Sequence, residues 1–245
     1  MQSKIRVMTY NVHRCIGVDR QASPERIAAV IEQSGADVVA LQEVDAGRAR
    51  TGGVDQALLI AQRLEMHVHF HPAWQFAEEQ YGDAILSRFP MRLVQAGPLP
   101  RPRNRLWREL RGALWASIQV DHHDIQMINT HLGLGPRERM KQTEALFSET
   151  WLGGTACKPP LILCGDFNAL PDSAVHRRCL RTLRDVHRVL KVPRPRKTFP
   201  TRYPLASIDH MFLSAEFAVH QVEVLRTNLT RVASDHYPLV VELSL

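Results

Sequence analysis

The stretch "LILCGDFNALPDS", residues 161–173, begins as an apolar strand and ends on polar side chains. Residues 161–164 have the continuous apolar character of a buried strand, and Gly165 then interrupts the run. Asp166 and Asn168 stand two residues apart, and on an extended chain such residues point to one face. We therefore expect both to face a common site, with Phe167 turned into the core and Gly165 letting the backbone approach a ligand closely.

Polar side chains also occur at the ends of other apolar runs. Taken singly, each has an ordinary explanation as a turn residue or a surface group. Ligands of open α/β sheets bind at strand ends, so the joint occurrence predicts one site. Carboxylate and amide oxygens suit Mg²⁺, and histidines beside carboxylates suit proton transfer. The residues concerned are Asn11, Glu43, His131, Asp166, Asn168, Asp209, Asp235 and His236.

The order of elements predicts a mixed α/β fold. A strand (4–10), a capped helix (23–35) and a second strand (36–44) form a unit whose two strands should be parallel. About ten strands and three or four helices are expected, with sheets packed together, helices outside and one domain over 1–245. The remaining predicted elements are helices at 54–65 and from Pro136 to about Trp151, a hairpin at 112–132, and strands at 83–89, 160–167, 207–214, 217–226 and 238–245.

Composition narrows the class of protein. The chain has 245 residues and a formal net charge of +6, which favours an anionic partner. None of its four cysteines forms a C-x-x-C pair, which is typical of a reduced cell interior. The N-terminus lacks a signal-peptide pattern, and no apolar run reaches the length of a membrane span. We expect a cytoplasmic monomer, with peripheral contact to anionic lipid left open.

Two basic stretches read as long loops. Residues 101–112 hold five arginines and one glutamate, and residues 191–204 hold five basic residues and four prolines. Long loops in compact domains are often functional, although a solvated basic surface explains a single arginine equally well. The substrate-binding candidates in these loops, besides Asn168, are Arg105, Trp107, Arg196 and Lys197.

A histidine-rich segment, "HVHFH" at 67–71, has the alternation of a strand. His67, His69 and His71 would share one face, as zinc ligands could. No further ligand is evident nearby, so we interpret these histidines as structural or solvent-exposed.

Seven motifs occur in the order found in the endonuclease/exonuclease/phosphatase superfamily, which the chain resembles over residues 5–243. The resemblance implies a four-layer α/β/β/α sandwich of two mixed β-sheets flanked by helices. It also implies hydrolysis of a phosphate ester with Mg²⁺, for which Mn²⁺ can substitute. The motifs are "TYNVH", "LQEV", "YGDAILSR", "NTHLG", "GDFNALPDS", "SIDHMFLS" and "SDHYPLVV".

The resemblance also implies a role for each matching residue. Glu43 would be the main metal ligand, with Asn11 beside it and Asp235 in support. Asp166 would activate the attacking water, and Asn168 would hold that water or the phosphate. His236 would donate to a phosphoryl oxygen while Asp209 orients it, and His131 would be a second donor or the acid near the leaving group. Many relatives have Asn where this chain has Asp83, which could fix the protonation of His131 or approach the metal.

The substrate is not decided by these motifs. His131 stands where abasic-site endonucleases usually have Tyr, which argues against abasic-site repair. "NTHLG" and the helix after it most resemble the sphingomyelinase-like bacterial branch. Three hypotheses therefore stay open: a phosphodiesterase or phosphatase acting on a small or lipid-linked ester, a DNA or RNA nuclease, and a catalytically inactive binding module.

Overall fold

The computed structural model describes residues 4–101, 109–191 and 196–245, and in them twelve strands form two six-stranded sheets. The first sheet contains β1 (Ile5–Asn11), β2 (Val38–Ala46), β3 (His67–Phe76), β4 (Glu79–Ser87), β11 (Ala218–Val224) and β12 (Leu239–Ser244), in the order β11-β12-β1-β2-β4-β3. The second contains β5 (Met91–Pro98), β6 (Gly112–Val120), β7 (His123–His131), β8 (Leu161–Asp166), β9 (Arg184–Asp185) and β10 (Asp209–Leu213), in the order β5-β6-β7-β8-β10-β9.

Helices cover the outer faces of both sheets. The described α-helices are α1 (Pro24–Ser34), α2 (Gln56–Leu64), α3 (Pro136–Leu146), α4 (Ala174–Cys179), α5 (Val186–Val189) and α6 (Asn228–Ala233). One apolar core lies between the sheets and includes Val7, Ile85, Met127 and Met211. A second packs α1 and α2 against the first sheet, and a third packs α3 and α4 against the second sheet. The predicted four-layer α/β/β/α sandwich is confirmed.

The strand–helix–strand unit forms as its sequence predicts. The Ser23 side chain accepts a hydrogen bond from the Arg26 backbone N–H, Pro24 occupies the first turn of α1, and Gly35 ends the helix in the left-handed region. β1 and β2 then pair in parallel, which confirms the predicted pairing. The hairpin of β6 and β7 and the helix α2, capped by Asp55, are also confirmed.

Three element predictions were wrong in detail. The strand count omitted β5, an edge strand whose charged, Gly and Pro residues weaken the apolar pattern, and the two-residue β9. Helix α3 ends at Leu146 rather than near Trp151, because the Ser, Thr and Gly residues of the following segment favour turns. The described part has six α-helices instead of three or four, since α4, α5 and α6 are too short for a periodic apolar pattern.

Candidate active site

Sheet topology brings the polar strand ends to one edge of the molecule. β1 pairs in parallel with β2, and β7 with β8, so their carboxyl ends lie together within each sheet. β10 runs antiparallel to β8 with Asp209 opposite Asp166, and β12 runs antiparallel to β1. The residues just before β12 and at the start of β10 therefore reach the same edge. Asn11, Glu43, His131, Asp166, Asp209 and His236 meet there.

A β-bulge aims Glu43 at the site. The pairing of β2 with β4 shifts register between Leu41 and Val44, and Glu43 has a left-handed φ of 60°. Such a backbone costs a non-glycine residue on the order of 1 kcal/mol, and bulges recur beside active sites. The half-buried Glu43 carboxylate accepts a hydrogen bond from Asn11 Nδ2 at 3.0 Å. The bulge thus turns a strand residue towards the neighbouring strand end.

Asn11 links two carboxylates. Its Nδ2 donates to Glu43 Oε1 and to Asp166 Oδ2, each at 3.0 Å. Its Oδ1 accepts from the His13 backbone N–H at 3.0 Å, so both ends of the amide are engaged. Asn11 therefore holds a carboxylate of the first sheet beside one of the second sheet.

Asp166 is the centre of the site. Its Oδ2 lies 3.4 Å from His131 Nε2 and 3.7 Å from His236 Nε2, and its Oδ1 accepts from the Asn168 backbone N–H at 2.8 Å. Burial, and then the negative charge of Asp209, raise the pKa of Asp166 to about 7. A carboxyl with that pKa can gain or lose a proton near neutral pH.

His236 and Asp209 form a buried pair. The Asp209 carboxylate accepts from His236 Nδ1 at 2.9 Å through Oδ2 and 3.2 Å through Oδ1. Burial lowers the pKa of His236, but the carboxylates of Asp209 and Asp166 outweigh that effect and raise the pKa to about 10. The ring is therefore doubly protonated at neutral pH and presents an Nε2–H donor to the site. The Asp209 carboxylate therefore contacts the ring nitrogen of His236 that points away from Asp166.

Arg111 is a site residue that the sequence reasoning missed. The sequence assigned it to the basic loop, yet the residue is only 6 % exposed and its Nη1 lies 3.0 Å from His131 Nδ1. Arginine can only donate, so His131 Nδ1 accepts and the ring proton sits on Nε2. Burial and the charges of Arg111 and His236 hold the pKa of His131 well below its usual range. His131 is thus a neutral donor. The position of Arg111 immediately before a buried strand was the sequence signal that could have indicated its burial.

The turn after β8 corrects two predictions about residues 165–168. The Phe167 ring is buried as expected, but Asn168 has a left-handed φ of 49°, so the chain is not extended there. The Asn168 Nδ2 donates to Leu132 O at 2.9 Å because the backbone turns over the Asp166 carboxylate. A Cβ on Gly165 would lie 1.8 Å from Thr130 O, so the glycine accommodates the neighbouring strand rather than a ligand.

Asp83 is buried, whereas Asp235 lies at the edge of the site. Burial raises the pKa of Asp83 to about 8, with Arg111 opposing and the Glu43 carboxylate adding to the shift. Arg111 contacts Nδ1 of His131, so it is Arg111 and not Asp83 that fixes the protonation of His131. Asp235 is partly exposed, and its Oδ1 lies 4.0 Å from His13 Nδ1 at the edge of the site.

The predicted substrate-binding residues are only partly described. Arg196 and Lys197 are exposed. Arg105 and Trp107 lie outside the described residues. His67, His69 and His71 lie on β3, an edge strand, and belong to none of the groups of three metal-ligating side chains found in the described part of the chain. In that same part, no helix combines the length and apolarity needed to cross a membrane.

The residues present fit a hard divalent cation. Glu43 and Asp166 place two carboxylates around one amide nitrogen, and Asp166 and Asp209 are both buried beside a single cationic histidine. Oxygen donors with this excess of negative charge suit Mg²⁺ or Mn²⁺. Glu43 and Asn11 would hold such an ion.

The fold gathers these carboxylates and histidines at one edge of the molecule, and comparison with known proteins gives the family. The chain belongs to the Endonuclease/Exonuclease/phosphatase family, whose profile matches residues 8–236. Members of this family are phosphoester hydrolases that usually use divalent metals.

The chain is also similar to individual relatives. The Escherichia coli K12 protein YbhP is 26 % identical over 261 residues, which cover 100 % of this chain and 98 % of that protein. An endonuclease/exonuclease/phosphatase from Beutenbergia cavernae has a TM-score of 0.78 at 22 % identity, covering 100 % of this chain and 72 % of its own. The Bacteroides thetaiotaomicron mannosyl-6-phosphatase Bt3783 has a TM-score of 0.76 at 20 % identity, covering 98 % and 100 %. The two structural likenesses establish the shared fold.

Proposed function

We propose that the protein hydrolyses phosphate esters at this site in a Mg²⁺-dependent reaction. One observation carries the proposal: the Asp166 carboxylate, with a pKa near 7, faces the Nε2 atoms of His131 and His236 at 3.4 and 3.7 Å. A proton acceptor beside two converging nitrogen donors is what attack of water on a phosphoryl group requires.

Each residue then has a defined task. Asp166 accepts a proton from the attacking water, which the turn at Asn168 helps to orient. His236 donates from Nε2 to a non-bridging phosphoryl oxygen as negative charge accumulates, and Asp209 keeps the proton on Nδ1. His131 supplies a neutral second donor from Nε2. Because its pKa is low, we favour that role over the acid near the leaving group.

The metal has one contribution in this scheme. Held by Glu43 and Asn11, with Asp235 in support, Mg²⁺ would neutralise charge on a phosphoryl oxygen and so lower the repulsion that a nucleophile meets. The carboxylate excess at the site supports this assignment.

For the substrate, we propose a small or lipid-linked ester rather than a nucleic acid, in keeping with the resemblance to the sphingomyelinase-like branch. Several large apolar side chains in loops next to the catalytic residues support an apolar group near the ester. Leu134 follows His131 closely, Leu170 follows Asn168, and the segment before Asp209 carries two more. The exposed residues are Leu134, Leu170, Tyr203 and Leu205, each 55–72 % exposed.

The test is a substrate panel with Mg²⁺ and with chelator. It comprises bis-p-nitrophenyl phosphate, p-nitrophenyl phosphate, phospholipid vesicles, plasmid DNA and RNA, each with the wild type and the Asp166→Asn variant. We expect chelator-sensitive release from at least one small or lipid ester, absent in the variant. Preferential cutting of DNA or RNA would instead establish the nuclease hypothesis, and the exposed Arg196 and Lys197 would then be its first binding candidates. Hydrolysis of nothing in the panel would favour an inactive binding module.

A further inference from the structure

A second cluster of histidine and carboxylate side chains lies on the other side of β10. It is formed by His176 from α4, Asp185 from β9 and His210 from β10. All three are at most 3 % exposed, and one ligand atom from each lies within 4.8 Å of the others. His210 directly follows Asp209, so adjacent β10 residues face opposite sides. The cluster is therefore separate from the active site.

His210 is oriented as a metal-ligating histidine is. Its Nε2 lies 2.7 Å from Ala169 O, and since a carbonyl only accepts, the ring proton is on Nε2. This leaves the Nδ1 lone pair facing Asp185 Oδ2 at 4.0 Å. A carbonyl holding the far ring nitrogen is the usual arrangement behind a metal-bound imidazole. Two electron-rich atoms face each other here, and a cation between them would turn that repulsion into attraction.

One carboxylate oxygen of Asp185 is available as a metal ligand. Its Oδ1 accepts from the Arg188 backbone N–H at 3.0 Å and so caps α5, while Oδ2 faces His176 Nε2 at 3.4 Å and His210. In the described part of the chain, every ion-pair partner of Asp185 is a histidine, the third being His187. One carboxylate is thus shared by three buried imidazoles.

The distances suit three of the four positions around a tetrahedral ion. Metal–ligand bonds of about 2.0–2.2 Å place neighbouring ligand atoms roughly 3.3–3.5 Å apart. The observed separations from Asp185 Oδ2 are 3.4 Å to His176 Nε2 and 4.0 Å to His210 Nδ1, which small side-chain movements would bring into range. Two imidazoles and one carboxylate suit Zn²⁺ rather than Mg²⁺.

A purely hydrogen-bonded cluster accounts for less of the geometry. His176 could donate from Nε2 to Asp185 while its Nδ1 accepts from the Asp172 backbone N–H at 3.3 Å. That arrangement leaves His210 Nδ1, which carries no proton, facing the Asp185 carboxylate. Ligation through His176 Nε2 would place its proton on Nδ1, so the long contact to Asp172 is the one that metal binding gives up.

We propose that His176, Asp185 and His210 form a buried structural site for Zn²⁺. The site holds the segment that follows the catalytic Asn168, because His210 binds the Ala169 carbonyl and His176 lies at the start of α4, beside Asp172. The ion would therefore fix the rear of the active-site turn without touching the substrate. The proposal does not depend on the proposed function.

Metal retention tests the proposal independently of catalysis. The full-length protein is stripped with chelator, reloaded with one equivalent of Zn²⁺, dialysed and analysed by mass spectrometry for metal content. Glu43→Gln serves as the background because it removes a carboxylate from the active site. We expect this variant to retain one Zn²⁺ per chain and its Asp185→Asn derivative to retain less than about a tenth of that. Asparagine keeps the oxygen that caps α5, so folding should persist.

Controls make either outcome decisive. Asp55→Asn makes the same change at the N-cap of α2, outside the cluster, and should retain Zn²⁺ like the wild type. His176→Gln should lose it, together with the visible absorption of a Co²⁺-loaded sample. If the Glu43→Gln protein retains no Zn²⁺, or if retention survives both Asp185→Asn and His176→Gln, the proposal is wrong.

Discussion

The two histidine–carboxylate clusters on either side of β10 have opposite electrostatics. In the active site one imidazole, His236, faces Asp209 and Asp166, and its pKa rises to about 10. On the other side of β10 one carboxylate, Asp185, faces the imidazoles of His176, His187 and His210, and burial lowers the pKa of His210 to about 4. Both are buried to the same degree. Burial lowers the pKa of both imidazoles, and at His236 the two facing carboxylates outweigh that effect.

The strongest test of the difference between the two clusters removes one carboxylate from each. We expect Asp166→Asn to lower kcat at least ~10²-fold, because the site loses its proton acceptor. Asp185→Asn should keep activity within about tenfold of the wild type, since it touches no reacting atom. Steady-state rates with bis-p-nitrophenyl phosphate, and circular dichroism to verify folding, provide the measurement. Equal losses in the two variants would contradict the distinction.

His236→Ala should lower activity about as much as Asp166→Asn does. The variant loses the cationic donor to the phosphoryl oxygen, so we expect kcat to fall at least ~10²-fold while the thermal midpoint changes little. A wild-type rate in the purified variant would rule out the assigned role of His236.

Arg111→Met should lower kcat by roughly 10- to 100-fold, the cost typical of losing an orienting partner of a functional histidine. Without Arg111, the tautomer of His131 is no longer fixed, and loss of the positive charge should raise the pKa of His131. Titration of His131 by NMR in the two proteins measures that shift directly.

A conservative replacement is the control for Arg111. Arg111→Lys keeps the charge but not the planar geometry, so it should restore the low pKa and only part of the rate. If Met and Lys behave alike, the guanidinium does not act through His131.

Asp209→Asn should change how stability depends on pH. The pKa of His236 in the folded protein is raised to about 10, against about 6.5 when unfolded. The stabilisation is therefore fully present below about pH 6.5 and is lost as pH rises towards 10. Urea unfolding of chelator-treated protein at pH 6, 8 and 10 should show the wild type and the variant converging as pH rises. Parallel curves would show that Asp209 does not set the charge of His236.

The smallest effect is expected at the exposed basic surface. Replacing Arg196 and Lys197 by Gln removes two solvated charges and should change kcat/KM for small esters less than about twofold. For a polyanionic substrate the loss should be larger and should fade with salt. Salt-independent loss on every substrate would mean that the pair acts at the catalytic centre.

Local sequence patterns predicted packed sheets with helices outside and the polar strand ends that meet at the candidate site, whereas the four-layer sandwich was implied by the family resemblance. A strand's polar terminus is visible in "GDFN" or "LQEV", and the strand–helix–strand unit fixes which ends lie together. The sequence reasoning missed three features that depend on tertiary contact. The burial of Arg111 is set by β6, the left-handed turn at Asn168 by the Asp166 carboxylate, and the gathering of His176, Asp185 and His210 by helices too short to predict.

Gly165 has a consequence for how this protein can evolve. Even a methyl group there would collide with the Thr130 carbonyl at 1.8 Å, and His131 and Asp166 are the next residues on the two strands. Because Gly165 has no side chain, β7 and β8 can approach closely at this point. That close approach sets the distance between the donor His131 and the proton acceptor Asp166. Single substitutions at residue 165 are expected to abolish activity in a screen. Exposed positions such as Leu170 or Tyr203 should tolerate substitution, and changes there can alter which substrates are accepted.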